Sequence, residues 1–422
     1  MKTLFRILPL IYLASLSEGI AENPSSVHSH EEETFEHHVG EVNYLTGEGA
    51  SIGGFLFPEL FVIATGGIFE PGSHAEDFAS SEHDPLNEAT IQGIDLDLIL
   101  NFNDVVTGAI TGFAHQGEDH EWEAALEEAY LHYHLGDHLS VGGGQFLNTF
   151  GFQADLHLHS WDFVNQNLVN GRMLNEGELV TQGGEIIFRT PRNGVLNFAF
   201  GGVRTHAHNH GHGDEEEEHH EEEEGHEEEH DDEHDHHFEV DQAGFDNHVA
   251  SADYKFRLPF DESVTLSTSL AAGENGFGRD TYVYGAGIQK IWNAHDHGYG
   301  PEFWPGATML RCEFMGREVE GLDEDGEALD FDDFGFSTSL FYGLTDRATV
   351  SLRHDWISEV EVAGLAERHR ISPALTAYLG PEQRVRARVQ YDYVHSDGIE
   401  GEHAAWLQFQ LQWGGEGGSH RH

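Results

Sequence analysis

Between about residue 59 and residue 413 the chain repeats runs of about ten residues in which apolar and polar side chains alternate. In the last run, "HAAWLQFQLQW", the apolar side chains of one face are Leu407, Phe409, Leu411 and Trp413. The three glutamines between them share the other face. A period of two residues predicts β-strands with one apolar and one polar face, and we count about sixteen of them.

The connections between these runs alternate in length. Short turns such as "NFNDVV", "LGDHLS" and "RTPRNG" alternate with longer polar loops, among them those near 70–92, 150–178 and 204–248. Short turns on one rim and long loops on the other are typical of outer-membrane barrels. A soluble β-sandwich or propeller would turn its apolar faces inward. The pattern favours an all-β fold, an antiparallel transmembrane β-barrel of about 16 strands over residues 51–413.

The two ends of the chain have other compositions. The opening "MKTLFRILPLIYLASLSEGIA" has a basic start, an apolar stretch and a small-x-small end, so residues 1–21 are predicted to be a secretory signal peptide. The alternative is a buried N-terminal helix. Residues 22–50 are polar and rich in His and Glu, and we expect them in the periplasm. Residues 414–422 form a C-terminal tail.

Composition narrows the class of partner. The chain has a formal net charge of −57, 33 histidines and one cysteine, which excludes an internal disulfide. Such an excess of negative charge argues against nucleic acid as a partner and favours counter-cations. The mean hydropathy of −0.46, with no long apolar run after the N-terminus, excludes transmembrane helices.

Several stretches of the chain resemble known families of outer-membrane barrels. "LEEAYLHYHLGDHLSVGGGQFLNTFG" is similar to porin-like barrels related to the phosphate-selective O/P porins. "HLHSWDFVNQNLVNGRML" and "ERHRISPALTAYLG … HAAWLQFQLQW" most resemble the family labelled zinc-regulated TonB-dependent outer membrane receptor. The resemblance covers roughly residues 90–190 and 335–413. It implies an outer-membrane location in a Gram-negative-type bacterium, contact with outer-membrane lipid, and a homotrimer as one arrangement.

Two departures from that family bear on function. Only about forty residues separate the predicted signal peptide from the first predicted strand, too few to fold as the plug domain of an energy-coupled receptor. Anion filters need rings of Lys or Arg, and the chain has only 20 basic residues against 77 acidic ones.

The loop over 204–248 contains the clearest candidates for metal-binding residues. From His206 to His237 it holds eleven histidines and sixteen carboxylates in 32 positions. Imidazole is a ligand for zinc, nickel and copper, and carboxylates add oxygen donors. The alternative is a solvated acidic loop. The predicted metal ligands are His206, His208, His210, His212, His219, His220, His226, His230, His234, His236 and His237.

Further histidines and charges extend this prediction along the barrel. Residues 150–178 are expected to fold inward as a constriction loop. Secondary metal ligands, with structural hydrogen bonding as the alternative, are His28, His30, His37, His38, His132, His134, His157 and His159. The predicted pore-lining residues are Arg353, Arg384, Arg386, Arg388, Asp392, Asp155 and Asp162. For these, mutual neutralisation across the wall is the alternative.

These observations predict a pore rather than an enzyme, since no nucleophile-and-base arrangement and no catalytic zinc motif stands out. We expect it to pass small solutes, with a preference for cations, and its outer loop to capture zinc, nickel or copper without a tightly bound cofactor. A periplasmic metal-binding protein is a further expected partner. The alternatives are a general or anion-conducting porin with an incidental acidic loop, a TonB-dependent metal receptor, and a surface metal-buffering protein.

Overall fold

The structure is a computed structural model. It describes residues 50–414, except 104, 118–119, 192–193, 205–239, 294–304, 323–325, 381–382 and 397–400. The predicted signal peptide, most of the 22–50 segment, the loop histidines and nearly all of the tail lie outside the described residues.

Sixteen antiparallel strands close into one barrel, in which β1 pairs with β16 and every other strand pairs with its neighbours in sequence. The strands are β1 Leu56–Phe69, β2 Ala89–Phe102, β3 Val106–Gln116, β4 Trp122–His134, β5 Leu139–Leu147, β6 Val180–Thr190, β7 Gly194–Val203, β8 Phe245–Leu258, β9 Asp261–Asn275, β10 Asp280–Trp292, β11 Thr308–Leu322, β12 Ala328–Thr345, β13 Ala348–Ile357, β14 Arg368–Leu379, β15 Val385–Ser396 and β16 Glu402–Gly414. This confirms the predicted fold class and strand number.

The burial pattern is inverted relative to a soluble protein. On β16, Leu407 and Phe409 are 45% and 46% exposed, whereas Gln408 and Gln410 on the opposite face are 3% and 8% exposed. An apolar outer face and a polar inner face are the distribution that a barrel in lipid requires. The barrel therefore lies in the outer membrane, as the sequence predicts.

The two rims differ as expected. The β4–β5, β8–β9 and β12–β13 turns are short and lie on the same rim, called here the short-turn rim. The opposite rim, the long-loop rim, carries the loop between β7 and β8. One connection on the short-turn rim, between β10 and β11, is long, and most of it lies outside the described residues.

Two loops from the long-loop rim enter the barrel: residues 70–88, called the first inward loop, and 148–179, the second inward loop. The second contacts inner-face side chains on well-separated strands. Gly151 N donates to Asp253 on β8 at 3.1 Å, and Val164 N donates to Gln390 on β15 at 2.8 Å. The loop therefore crosses the lumen from wall to wall.

A short helix stiffens the second inward loop. Helix α1, Leu168–Met173, begins at Asn167, whose side chain accepts a hydrogen bond from Asn170 N at 2.7 Å. An Asn at this position satisfies an otherwise free helix-end amide. Leu168 and Met173 then pack in an apolar cluster with side chains of β8, β9, β10, β11 and β13. The apolar core of the protein thus lies inside the barrel, around this loop.

Candidate functional site

Strand β4 supplies two adjacent carboxylates to the lumen. Thr111 on β3 pairs with Glu128, and the next residue, Gly112, pairs with Leu126, so Glu127 is the extra residue of a β-bulge. A bulge reverses which side chains face inward. Glu127 and Glu128 are consequently both buried on the inner side, at 5% and 6% exposure.

His157 of the second inward loop lies between these two carboxylates. Its Nδ1 is 3.0 Å from Glu127 Oε2, and its Nε2 is 2.9 Å from Glu128 Oε2. Burial alone would lower the pKa of His157, but the charges and hydrogen bonds of Glu128 and Glu127 outweigh it and raise the pKa well above its usual value. The side chain is an imidazolium that fastens the loop to β4.

His159, two residues further on, is held differently. Its Nδ1 is 2.8 Å from Asp95 Oδ2 on β2, and its ring stacks on Phe61 with centroids 3.9 Å apart. Burial lowers the pKa of His159 to about 4, against the attraction of Asp97 and with the help of the neighbouring His157 charge. This imidazole is therefore neutral at pH 7.

His83, in the first inward loop, meets three carboxylates. Its Nε2 is 3.3 Å from Glu82 Oε1, 3.2 Å from Glu127 Oε1 and 3.5 Å from Glu178 Oε2. Burial lowers the pKa of His83, but the three carboxylates raise it well above the ordinary value. These contacts form one cluster inside the barrel, called here the His/carboxylate cluster. Its members are His83, His157, His159, Glu82, Asp95, Glu127, Glu128 and Glu178.

A cavity of about 140 Å³ separates the second inward loop from the β4–β7 wall. Its ionisable lining residues are Glu128, Tyr130, His132, Asp155, His157 and Glu185. The volume suffices for several water molecules or a partly hydrated ion.

The fold resembles those of solved outer-membrane proteins. It is similar to the outer membrane channel DcaP of Acinetobacter baumannii, with 10% sequence identity, a TM-score of 0.53, and coverage of 85% of this chain and 96% of that chain. It is also similar to the outer membrane protein opdK from Pseudomonas aeruginosa, with 8% identity, a TM-score of 0.50, and coverage of 85% and 99%. A third similar structure is the outer-membrane expressed OmpT of Vibrio cholerae, with 9% identity, a TM-score of 0.50, and coverage of 85% and 97%. The chain thus has the fold of a sixteen-stranded outer-membrane β-barrel. No protein-family model and no curated protein matches the sequence.

The predicted secondary histidines on β4 lie in the lumen of the barrel. His132 Nε2 is 2.6 Å from Glu185 Oε2, at the edge of the cavity. His134 lies nearer the short-turn rim, where its two nitrogens contact the hydroxyls of Thr107 and Ser140. These contacts leave His132 beside open space and occupy both nitrogens of His134. Predicted ligands His28, His30, His37 and His38 lie outside the described residues.

The inward loops contact three buried arginines on β13, β14 and β15, called here the basic wall: Arg353, Arg370 and Arg388. Arg353 is 1% exposed and donates to the backbone oxygen of Asn165 at 2.8 Å, and Arg388 donates to the backbone oxygen of Trp161 at 2.8 Å. Arg370 donates to Phe78 O in the first inward loop at 3.0 Å. These guanidinium groups therefore anchor both loops.

The other predicted pore-lining residues divide between loop contacts and the wall. Asp162 receives a hydrogen bond from Arg311 at 3.1 Å, and Asp392 receives one from Asn165 at 2.9 Å. Asp155 lines the cavity, 3.4 Å from Lys255 Nζ. Arg384 and Arg386 bond to partners on the neighbouring β16, Gly414 O and Gln410.

His83, Glu127 and Glu128 are not among the site residues predicted from the sequence. A signal for the two glutamates was present, because the outward apolar positions on β4 change parity. They are even-numbered up to Leu126 and odd-numbered from Ala129 onward. Such a change of parity within one strand is the mark of a bulge.

Proposed function

We propose that this barrel is a pore that passes small solutes with a preference for cations, and that residues 204–248 concentrate zinc or a similar divalent transition metal at its outer mouth. The observation that carries the proposal is the charge distribution around the lumenal cavity. Three carboxylates line it, those of Glu128, Asp155 and Glu185. Carboxylates around a water-filled space favour cations over anions.

The arginines do not offset this preference. Arg353, Arg370 and Arg388 direct their donors to backbone oxygens and carboxylates of the loops and wall. None of these three arginines lines the cavity, whereas the carboxylates of Glu128, Asp155 and Glu185 do. The cation preference therefore rests on the β4–β7 side of the lumen.

Strand β4 offers a graded path for a cation. From the long-loop rim inward, its lumenal side presents Glu123, then Glu127 and Glu128, then His132. His115 on β3 lies 3.6 Å from Glu123. A series of weak oxygen and imidazole sites permits entry without trapping the ion, as conduction requires.

The zinc-capture part of the proposal rests on composition. The histidine-rich loop follows β7 and precedes β8, so both its ends lie at the long-loop rim. Eleven imidazoles among sixteen carboxylates offer many exchangeable sites for zinc, nickel or copper. Capture there would raise the local concentration of metal at the entrance.

The proposal is tested in a planar lipid bilayer under a salt gradient, with micromolar zinc added to the long-loop side. We expect a reversal potential of the sign given by cation selectivity, and a conductance that zinc alters. A variant lacking residues 206–237 should keep the reversal potential and lose the response to zinc. The zinc response should also fade below about pH 6, where imidazole becomes protonated.

The outcomes separate the two halves of the proposal. An anion-selective or unselective reversal potential would make the protein a general porin. A zinc response that persists without residues 206–237 would remove the capture role of this loop. Loss of metal uptake by cells when the proton gradient is collapsed would instead favour an energy-coupled receptor.

A further inference from the structure

We infer that Glu82, His83 and Glu178 form an internal binding site for one divalent transition-metal ion, held between the two inward loops. The site is distinct from the histidines of 206–237. It stands on its own contacts and does not depend on the proposed cation preference or zinc capture.

The three side chains converge on one point. His83 Nε2 and one carboxylate oxygen of each glutamate lie within 4.8 Å of one another. One imidazole nitrogen with two carboxylate oxygens is a donor set suited to zinc and similar metals, with a fourth position left for water.

Two of the three separations between the ligand atoms match those of a tetrahedral metal site. Metal–ligand bonds of about 2.05 Å place the ligand atoms of a tetrahedron about 3.3 Å apart. His83 Nε2 lies 3.3 Å from Glu82 Oε1 and 3.5 Å from Glu178 Oε2. A charge-assisted N–H···O bond is typically shorter, about 2.7–2.9 Å.

The hydrogen bonding of His83 gives an independent observation. The side chain is 3% exposed, yet neither ring nitrogen forms a well-directed hydrogen bond among the described residues. The same holds for Glu178 Oε1. Buried polar atoms almost always have a partner, and a cation at this point would supply one to His83 Nε2.

The net charge of the side chains around His83 also favours a bound metal ion. Glu127 approaches His83 Nε2 from the β4 wall at 3.2 Å, so three carboxylates surround one imidazole. A single proton on His83 leaves this group with an excess of negative charge in a buried position. A divalent ion on a neutral imidazole reduces that excess, which matters most where water is excluded.

The fold holds the ligands in place. Asp84 accepts hydrogen bonds from Ser80 N and Gln166 N at 2.7 Å each, which fixes the turn carrying His83 to the second inward loop. Gly177, beside Glu178, has a φ of +102°, and a Cβ there would come within 2.9 Å of Ser81 Cβ. A glycine is required for this approach, which brings Glu178 to His83.

The test uses the full chain, loaded with zinc in detergent and then exposed briefly to a chelator. Weakly held ions exchange quickly, whereas an ion enclosed by both inward loops leaves slowly. Wild-type protein should retain about one zinc per barrel by plasma mass spectrometry, and His83→Ala and Glu178→Gln less than about a tenth of that. Crystals of the loaded protein should show an anomalous zinc peak between the three side chains.

Matched controls separate this site from the rest of the protein. Asp346→Asn, in the exposed β12–β13 turn, lies far from the donor set in the fold and should keep the retained zinc, as should a variant lacking residues 206–237. Folding is checked by the heat-dependent shift of the barrel on gels, and Glu178→Gln keeps the size of the side chain if His83→Ala misfolds. Failure of wild-type protein to retain zinc, or equal retention by a folded Glu178→Gln variant, would overturn the inference and leave His83 as an imidazolium.

Discussion

Glu127 and Glu128 are neighbours in sequence, yet both point into the barrel, because Glu127 is the extra residue of a bulge in β4. Together they contact both ring nitrogens of His157. An ordinary strand would have turned one of them toward lipid. The bulge therefore couples the barrel wall to the second inward loop.

Deletion of Glu127 should leave a folded barrel. Leu126 faces outward and Glu128 inward, so removing the residue between them restores regular alternation without turning any other β4 side chain around. Deletion of Leu131, which has no bulge beside it, would invert the faces of part of the strand. We expect the first variant to show the heat-dependent gel shift of a folded barrel and the second to lack it. Equal folding of both variants would contradict the assigned bulge.

The sequence alone predicts the strands of the barrel wall, but not how the inward loops pack in the lumen. Alternation places Leu407 outside and Gln408 inside, because lipid on one side and water on the other impose a period of two. It also correctly turns His132 and Arg388 toward the lumen. The strand number and the rims follow from the same pattern.

The His/carboxylate cluster could not be predicted in this way. His83 and Glu178 are 95 positions apart, and their meeting depends on how two irregular loops pack inside the barrel. No periodicity governs such loops, and the chain has 77 acidic residues from which to choose. The role of Arg353 was hidden for a similar reason, since its partner is a backbone oxygen of Asn165.

Neutralising the cavity should weaken cation selectivity. Glu128→Gln and Asp155→Asn each remove one of three carboxylates lining the cavity and keep the size of the side chain. We expect the cation-to-anion permeability ratio, from the reversal potential at low salt, to fall roughly threefold, and the effect to shrink at high salt through screening. Asp346→Asn, in the exposed β12–β13 turn, is the matched control. If the permeability ratio were unchanged in both cavity variants, these carboxylates would not determine the selectivity.

Replacing Arg353 should loosen the second inward loop. Its guanidinium donates to the backbone oxygen and the side chain of Asn165 and lies 3.1 Å from Asp355 Oδ2. Arg353→Gln removes buried charge-assisted bonds, so we expect the free energy of unfolding to fall by about 2–4 kcal/mol. Single-channel recordings should show larger and noisier conductance.

Arg347, exposed in the β12–β13 turn, provides the control for this substitution. Arg347→Gln should change the free energy of unfolding by no more than about 0.5 kcal/mol and leave the recordings quiet. If Arg353→Gln behaved in the same way, the anchoring role of the basic wall would be wrong.

His159 should make the barrel less stable in mild acid. Its pKa is about 4 in the folded protein, because burial disfavours the charged ring, against about 6.5 in an unfolded chain. Between these values the unfolded chain binds more protons than the folded one, so the free energy of unfolding falls as the pH falls.

The variant His159→Gln does not titrate and should be free of this loss, whereas His138→Gln, at an exposed position, should retain it. Denaturant unfolding followed by tryptophan fluorescence should show wild type losing about 2–3 kcal/mol more than His159→Gln between pH 7 and pH 4.5. Parallel pH profiles for the two proteins would mean that His159 becomes protonated without leaving its place beside Asp95 and Phe61.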